Sequence, residues 1–412
     1  MRGTRMLGIA LGVEGAVIEN VRVEADGRFV VRVHARRRDR GRCGECLAAS
    51  PGYDPGEGLR CWRTHDVGIV QAYVEAWAPR VKCATHGVIV SHTPWARHGS
   101  GFTRSFEDTA AWLAVRTDKT TLSGFLRIAW RTVGSIIERV SKEALAKKNP
   151  LLGVTRIGID EVSYRKGHRY VTVVMDHDTG RLIWAAPGRS GKTLAKFFRL
   201  LGKAGRAAIK LVSADAASWI GKAVRKACPN AALCIDPFHV VQWATKALDE
   251  VRREMWNQLR RKGDTARAKA MKGSRWSLVK NPEDLTRKQK GKLRTIEKDN
   301  QRLYRAYLLK EQLRDIFKTK GYTGVFMLDA WLAWAGRSQL EPFKKVAATI
   351  RANRIGIDCA LAHGLSNGKV ESMNNRFRLL TRLAYGFHSP APLIDLAMLK
   401  LGGLCPPLPY AS

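Results

Sequence analysis

Apolar residues recur along this chain at two spacings, and the change from one to the other divides it. Up to about residue 95, short apolar stretches such as Val21–Val23, Phe29–Val33 and Val70–Trp77 alternate with polar residues. Gly and Pro punctuate them, most densely in Ala49–Gly58, so this region predicts short strands and turns. Over residues 102–148 the spacing becomes three and four, which predicts helices; Val133, Ile136, Ile137 and Val140 mark one buried stripe. Residues 154–260 alternate strands and helices. From Val251 to about Lys320 the pattern is helical and strongly basic, and a last helix near 367–383 precedes a short Pro-rich tail. There is no internal repeat.

The middle region has a definite order. Val154–Ile159 reads as a buried strand that ends in a carboxylate, Asp160. Arg169–Met175 and Arg181–Ala186 make two further strands around the turn Asp178-Thr-Gly180. Ser190 caps a helix running to about Ala204. Ala208–Ala214 is a fourth strand, again ending in a carboxylate, Asp215. A helix over Trp219–Ala227, a fifth strand over Ala231–Ile235, then Asp236 and a long helix complete it. The order β-β-β-α-β-α-β-α is that of an RNase H-like fold, whose strands 1 and 4 lie side by side, so Asp160 and Asp215 are expected to meet. In the last helix, Val370, Met373, Phe377 and Leu380 form a buried stripe, and Glu371, Asn375, Arg378 and Arg382 fall on the adjoining face. Three carboxylates, Asp160, Asp215 and Glu371, suit two Mg2+ (or Mn2+) ions, because hard oxygen ligands leave open positions for phosphate and water. Arg378 and Arg382 would then face DNA phosphate.

Charge narrows the partners. The 412 residues carry 72 Lys+Arg against 36 Asp+Glu, a net +36, which draws polyanions and gives affinity by counterion release. No apolar run approaches the ~20 residues of a spanning helix. Met1–Val13 has two arginines and no sustained apolar core, which argues against a signal peptide. Of eight cysteines, Cys228, Cys234, Cys359 and Cys405 read as scattered buried thiols, consistent with a reducing cytoplasm. The other four lie in the N-terminal region. Cys43-Gly-Glu-Cys46 and Cys83-Ala-Thr-His86 are two knuckles suited to a tetrahedral structural Zn2+, with Cys61 and His65 as alternative ligands. Further on, Asp118–Lys147 holds two helical patterns with a break near Ile128–Arg131. This resembles a helix-turn-helix, with a simple helical hairpin as the alternative, and Arg131, Arg139 and Lys142 supply exposed charge.

Taken together, these runs resemble bacterial insertion-sequence transposases of the DDE class, ISL3 family. The resemblance covers nearly the whole chain. It rests on the two knuckles, Trp130-Arg-Thr-Val133, Gly158-Ile-Asp160-Glu and Ser213-Ala-Asp215. Pro229–Val241, which contains Asp236-Pro-Phe-His239, Ser366–Asn375 around Glu371, and Arg382–Phe387 complete it. It implies that Asp160, Asp215 and Glu371 are the metal-binding triad and that the N-terminal regions bind terminal inverted repeats. Asp236 and His239 resemble the DxxH motif of transposases that carry a helical insertion; His239 is expected mainly to tie strand 5 to the next helix. The long separation of Asp215 from Glu371 then places an insertion near Val251–Ile350. Its Lys and Arg residues, with Trp256, Trp276, Trp331 and Trp334, either hold a DNA end or fill the insertion's own core. The segment Leu47–Leu59 departs from the family pattern and bears on the zinc ligands.

The expected organisation is multidomain α/β. It comprises a zinc-ribbon-like domain (1–97), a helix-turn-helix (98–150) and the first part of an RNase H-like core (151–250). An all-helical insertion (251–350) and a last core segment with the tail (351–412) follow. The expected activity is cleavage and transfer of double-stranded DNA, terminal repeats to target, by a homodimer or higher oligomer on the bacterial nucleoid, with no membrane partner. A catalytically silent DNA-binding regulator is the alternative, and a nuclease that only hydrolyses is a third reading.

Overall fold

The computed structural model describes residues 3–13, 15–319 and 321–409. The chain forms two compact units, residues 1–150 with 379–412, and residues 151–378.

The first unit opens with a helix, α1 (Gly3–Ala10), followed by β1 (Ala16–Val23), β2 (Phe29–Ala35), β3 (Gly52–Asp54), β4 (Leu59–Arg63), β5 (Ala72–Trp77), β6 (Arg80–Cys83) and β7 (Gly87–Val90). They form two sheets, ordered β1-β2-β5-β4 and β3-β6-β7. Alternation in β2 and β5 sends Val31, Val33 and Val74 inward, where Trp62 and Trp95 close the core. The segment Leu47–Leu59 is not an empty loop, because β3 lies within it and pairs with β6.

Three helices follow: α2 (Arg104–Ala114), α3 (Lys119–Leu126) and α4 (Trp130–Lys147). Asp118 caps α3 by accepting from the N–H groups of Thr120 and Thr121. The chain then turns through Arg127 in the left-handed conformation (φ 54°) before α4. Val133, Ile136, Ile137 and Val140 of α4 are buried, as the three-and-four spacing predicted. A C-terminal helix, Pro390–Leu401, packs on α4, so residues 379–412 belong by their contacts with the first unit.

The second unit holds a five-stranded sheet: β8 (Arg156–Arg165), β9 (Arg169–Asp176), β10 (Leu182–Pro187), β11 (Leu211–Ala214) and β12 (Ala232–Ile235), with α5 (Gly191–Ala208) and α6 (Ser218–Ala227) between strands. The order is β10-β9-β8-β11-β12. β8, β9 and β10 are an antiparallel meander, whereas β11 pairs parallel with both β8 and β12. Ile157 and Ile159 of β8 pack with Phe197 and Leu194 of α5. One expectation is corrected here. Asp160 does not end its strand, because β8 continues to Arg165 against β9. What ends near Asp160 is the pairing with β11, which stops at Gly158 and Ser213.

Helices fill the remainder: α7 (Pro237–Arg261), α8 (Thr265–Lys272), α9 (Arg275–Val279), α10 (Arg287–Asp299), α11 (Gln301–Thr319), α12 (Gly321–Arg337), α13 (Glu341–Ala352), α14 (Arg354–His363) and α15 (Gly368–Leu383). Those from α7 to α14 share one core that includes Leu248, Leu309, Phe343 and Trp331. Trp331 is fully buried and its indole N–H donates to the Leu309 carbonyl at 2.8 Å, so it fills this core rather than stacking on DNA. Trp256 and Trp334 pack against the same core, and Trp276 is exposed. Cys234 and Cys359 are not scattered thiols, since α14 lies on β12 and their sulfurs are 2.8 Å apart.

Candidate active site and nucleic-acid interface

The sheet order sets the place of the chemistry. After β8 the chain builds β9 and β10 on one side and returns to lay β11 on the other. Such a switch point leaves a crevice at the strand ends, the usual ligand position in open α/β sheets. Ser213 pairs with Gly158, so Asp215, two residues on, is level with Asp160. Both carboxylates therefore stand where the two strands part.

Asp160 is held on both oxygens. Oδ1 accepts from the Glu161 N–H at 2.7 Å, and Oδ2 accepts from the Asn374 carboxamide at 2.6 Å. Asp215 accepts from the Ala217 N–H at 2.9 Å, an Asx turn opening α6. Burial lifts the Asp160 carboxyl above its ordinary range; the Asp215 charge adds to this, while the two hydrogen bonds and His239 oppose it. Glu161 is pushed up to about 7 by burial, with Arg189 opposing and the charges of Asp215 and Asp160 adding. Arg189 Nε lies 2.7 Å from Glu161 Oε2. Gathered carboxylates raised in this way are what a divalent cation would relieve.

Glu371 lies in the first turn of α15 and is exposed. The helix is anchored on either side of it. Asn367, one turn earlier, donates its N–H to Asp236 Oδ1 at 3.1 Å and accepts from the Ser213 hydroxyl. Asn374, three residues later, grips Asp160. A glycine allows the approach, because a Cβ on Gly158 would fall 2.3 Å from Val370 Cγ2 and 3.0 Å from His177 Nε2. Residues 367, 371 and 374 share one helix face, so Glu371 projects from the turn between two contacts to the strand ends. The oxygens of the three acids are not drawn within 4.8 Å of one another, the spacing that the Cys/His group described below attains. A pair of ions ~3.5–4 Å apart takes its ligands over a wider span than one ion does. Three buried polar atoms around the carboxylates lack partners: Glu161 Oε1, Asn367 Nδ2 and Asn374 Oδ1. Unfilled hydrogen-bonding capacity of this kind fits a hydrated cation.

Asp236 and His239 lie beside this centre. Asp236 is buried, its Oδ2 lies 2.9 Å from His239 Nδ1, and its N–H donates to the Ala214 carbonyl. The hydrogen bond to Asp236 raises the His239 pKa above its ordinary value, against burial. Ser213, in turn, lies 2.7 Å from His177 Nε2. The motif thus ties β12 to α7 and also to the start of α15. Asn367, Asn374, Ser213 and Gly158 lie inside runs that the sequence singles out, but their roles come from contacts across 36 to 214 positions.

In the first unit, the turn Cys83–His86 joins β6 to β7 and meets the Cys43–Cys46 turn. Cys43 Sγ is 3.5 Å from His86 Nδ1, Cys46 Sγ is 3.7 Å from Cys83 Sγ, and Cys83 Sγ is 3.7 Å from His86 Nδ1. A tetrahedral zinc with bonds of about 2.3 Å to sulfur and 2.0 Å to nitrogen requires ligand separations of about 3.5–3.8 Å. The cluster is therefore compatible with zinc. Cys61 and His65 lie outside this group of ligand atoms, and His65 Nε2 lies 3.0 Å from Thr109 Oγ1.

The charges expected to meet DNA separate into two kinds. Arg131 and Lys142 of α4 are exposed, as are Arg378 and Arg382 of α15. Arg139 is a correction. Its guanidinium pairs with Glu107 at 2.6 Å, and Glu107 is fully buried. Arg97 also pairs with Glu107, at 3.2 Å, and with Asp108 at 2.5 Å. Arg139 therefore serves the packing of α4 on α2.

Comparison with known proteins agrees with these features. A family model described as "Transposase", of the ISL3 DDE group, matches residues 157–395. A second, described as the helix-turn-helix domain of transposase family ISL3, matches residues 91–141. The chain is 49% identical to the transposase for insertion sequence element IS1557 of Mycobacterium tuberculosis, over 99% of this chain and 98% of that protein. It is 29% identical to the transposase for insertion sequence element IS1001 of Bordetella parapertussis, over 64% of each. The chain belongs to the ISL3 family of DDE insertion-sequence transposases, with a helix-turn-helix DNA-binding domain.

Proposed function

We propose that this transposase binds the terminal inverted repeats of its element through residues 1–150 and cuts and rejoins DNA at Asp160, Asp215 and Glu371. The observation that carries this reading is the level placement of Asp160 and Asp215 at the switch point, with Asn374 joining Asp160 to the helix of Glu371. The meander followed by two parallel strands supports an RNase H-like core, and the helices over 251–350 support its reading as an insertion.

The three carboxylates would hold two Mg2+ or Mn2+ ions, which when bound activate the attacking oxygen and stabilise the leaving one in an in-line displacement. The chain's own part is positioning. The Glu161 N–H and Asn374 orient Asp160, the Asx turn orients Asp215, and α15 carries Glu371 to the crevice. Water cleaves the phosphodiester at the element end, and the freed 3′-OH then attacks a target phosphodiester, displacing a new 3′-OH. Cys43, Cys46, Cys83 and His86 would hold a structural Zn2+. Two ends must be held together, so the working form is a dimer or higher oligomer on DNA, acting at the nucleoid. Among the described residues no helix is long and apolar enough to cross a membrane.

Asp160→Asn, Asp215→Asn and Glu371→Gln should each abolish Mg2+-dependent cleavage of a terminal-repeat duplex, while gel-shift affinity for that duplex stays within about threefold. Cleavage at the wild-type rate in any of the three would sink the triad assignment.

A further inference from the structure

Asn374 is buried to 3% exposure, and its carboxamide is only half satisfied. Nδ2 donates to Asp160 Oδ2 at 2.6 Å. A carboxylate oxygen can only accept, so this contact fixes the amide's orientation and leaves Oδ1 as its remaining acceptor. Oδ1 is buried and has no hydrogen-bond partner. Buried acceptors in native proteins are rarely left this way. Asn367, on the same helix face, likewise has a buried, unpartnered Nδ2, while its Oδ1 takes the Ser213 hydroxyl. Glu371 lies between these two half-used amides. The helix does not need Asn374 merely to pack, because Val370 already seats against Gly158.

We propose that Asn374 is a positioning residue of the metal centre: it fixes Asp160 relative to Glu371, and its Oδ1 accepts a hydrogen bond from water carried by a divalent cation. This rests on the triad reading given above. Groups that orient metal ligands from outside the coordination sphere typically account for about 10- to 100-fold in metal affinity. A purely structural hydrogen bond between α15 and β8 would instead alter the stability of the metal-free protein and leave metal affinity alone.

The test uses full-length, zinc-loaded protein, with Mn2+ alone as the probe and free Mn2+ read by electron paramagnetic resonance. Asn374→Ala should raise the Mn2+ Kd by about 10- to 100-fold. Asn374→Ser keeps a short group that can donate and accept, and should recover part of the loss. It also carries the test if the alanine variant melts below the assay temperature. Ser372→Ala, exposed on the same helix, should match the wild type. A Kd for Asn374→Ala within twofold of wild type overturns the proposal, as does a serine variant no better than alanine. Asp160→Asn and Asp215→Asn separate the two levels of inference. If both bind Mn2+ normally, the triad reading itself fails. If both lose it while Asn374→Ala keeps it, only the role of Asn374 fails.

Discussion

Glu107 and Glu143 show how single charges hold the DNA-binding part together. Glu107 has no exposed surface and is paired with Arg97 and Arg139, while the Ser100 hydroxyl donates to it at 2.7 Å. Removing one member of a buried pair leaves an uncompensated charge, so Glu107→Gln should cost about 3 kcal/mol in a denaturant titration. Arg139→Ala should likewise lower stability before it alters DNA contact. Glu143 is drawn down to about 2: burial alone would raise it, but Lys147, Arg97 and Arg104 overcome that effect. Its ordinary value is 4.5, so its stabilisation is complete above that pH and is lost as pH falls from about 4.5 through 2. Acid unfolding of this unit should therefore steepen below pH 4.5, and Glu143→Gln should flatten that limb by on the order of 3 kcal/mol. Helical spacing placed Arg139 correctly on α4. Its partner, 32 positions away, could not be read from local pattern, and so the residue looked free.

Two helices, α4 and α15, carry the element-scale argument. The first residues of a recognition helix meet base edges, and α4 opens with the exposed pair Trp130 and Arg131. Arg131→Ala and Lys142→Ala should each weaken binding to a repeat duplex; if either contacts a phosphate, the slope of log affinity against log salt should fall by about 1. An unchanged slope and affinity would remove that residue from the interface. For α15, the critical gap is at Gly158. Gly158→Ala forces its methyl group against the Val370 side chain, an overpacking that should cost about 1–3 kcal/mol. It should also slow cleavage by moving Glu371, while repeat binding survives; cleavage at the wild-type rate would show that the helix tolerates displacement. Periodicity located these elements because burial imposes it one residue at a time. It placed the end of β8 too early, since the residues after Asp160 are held by β9, and it overlooked β3, whose three residues are defined by pairing with β6.

At the scale of the whole chain, a charge of +36 makes DNA affinity steeply salt-dependent. The Cys/His cluster is compatible with zinc; if zinc fills it, a chelator should melt the small β3-β6-β7 sheet, measured as lost protection in hydrogen exchange over residues 43–90, and should abolish repeat binding. The two knuckles were legible because Cys-x-x-Cys and Cys-x-x-His are telling spacings, and their four ligand atoms come together in the fold; the level placement of Asp160 and Asp215 was legible from the order of the strands. The attachment of residues 379–412 to the first unit was not, because it rests on helix packing between distant segments. The central claim is that Asp160, Asp215 and Glu371 form one divalent-metal centre. Iron-directed cleavage tests it most directly: Fe2+ replaces Mg2+ in the protein bound to a terminal-repeat duplex, ascorbate and peroxide are added, and the backbone cuts are mapped by mass spectrometry. The account predicts cuts within a few residues of all three acids, suppressed by excess Mg2+. Cuts that miss any of the three, or that excess Mg2+ leaves unchanged, would contradict it.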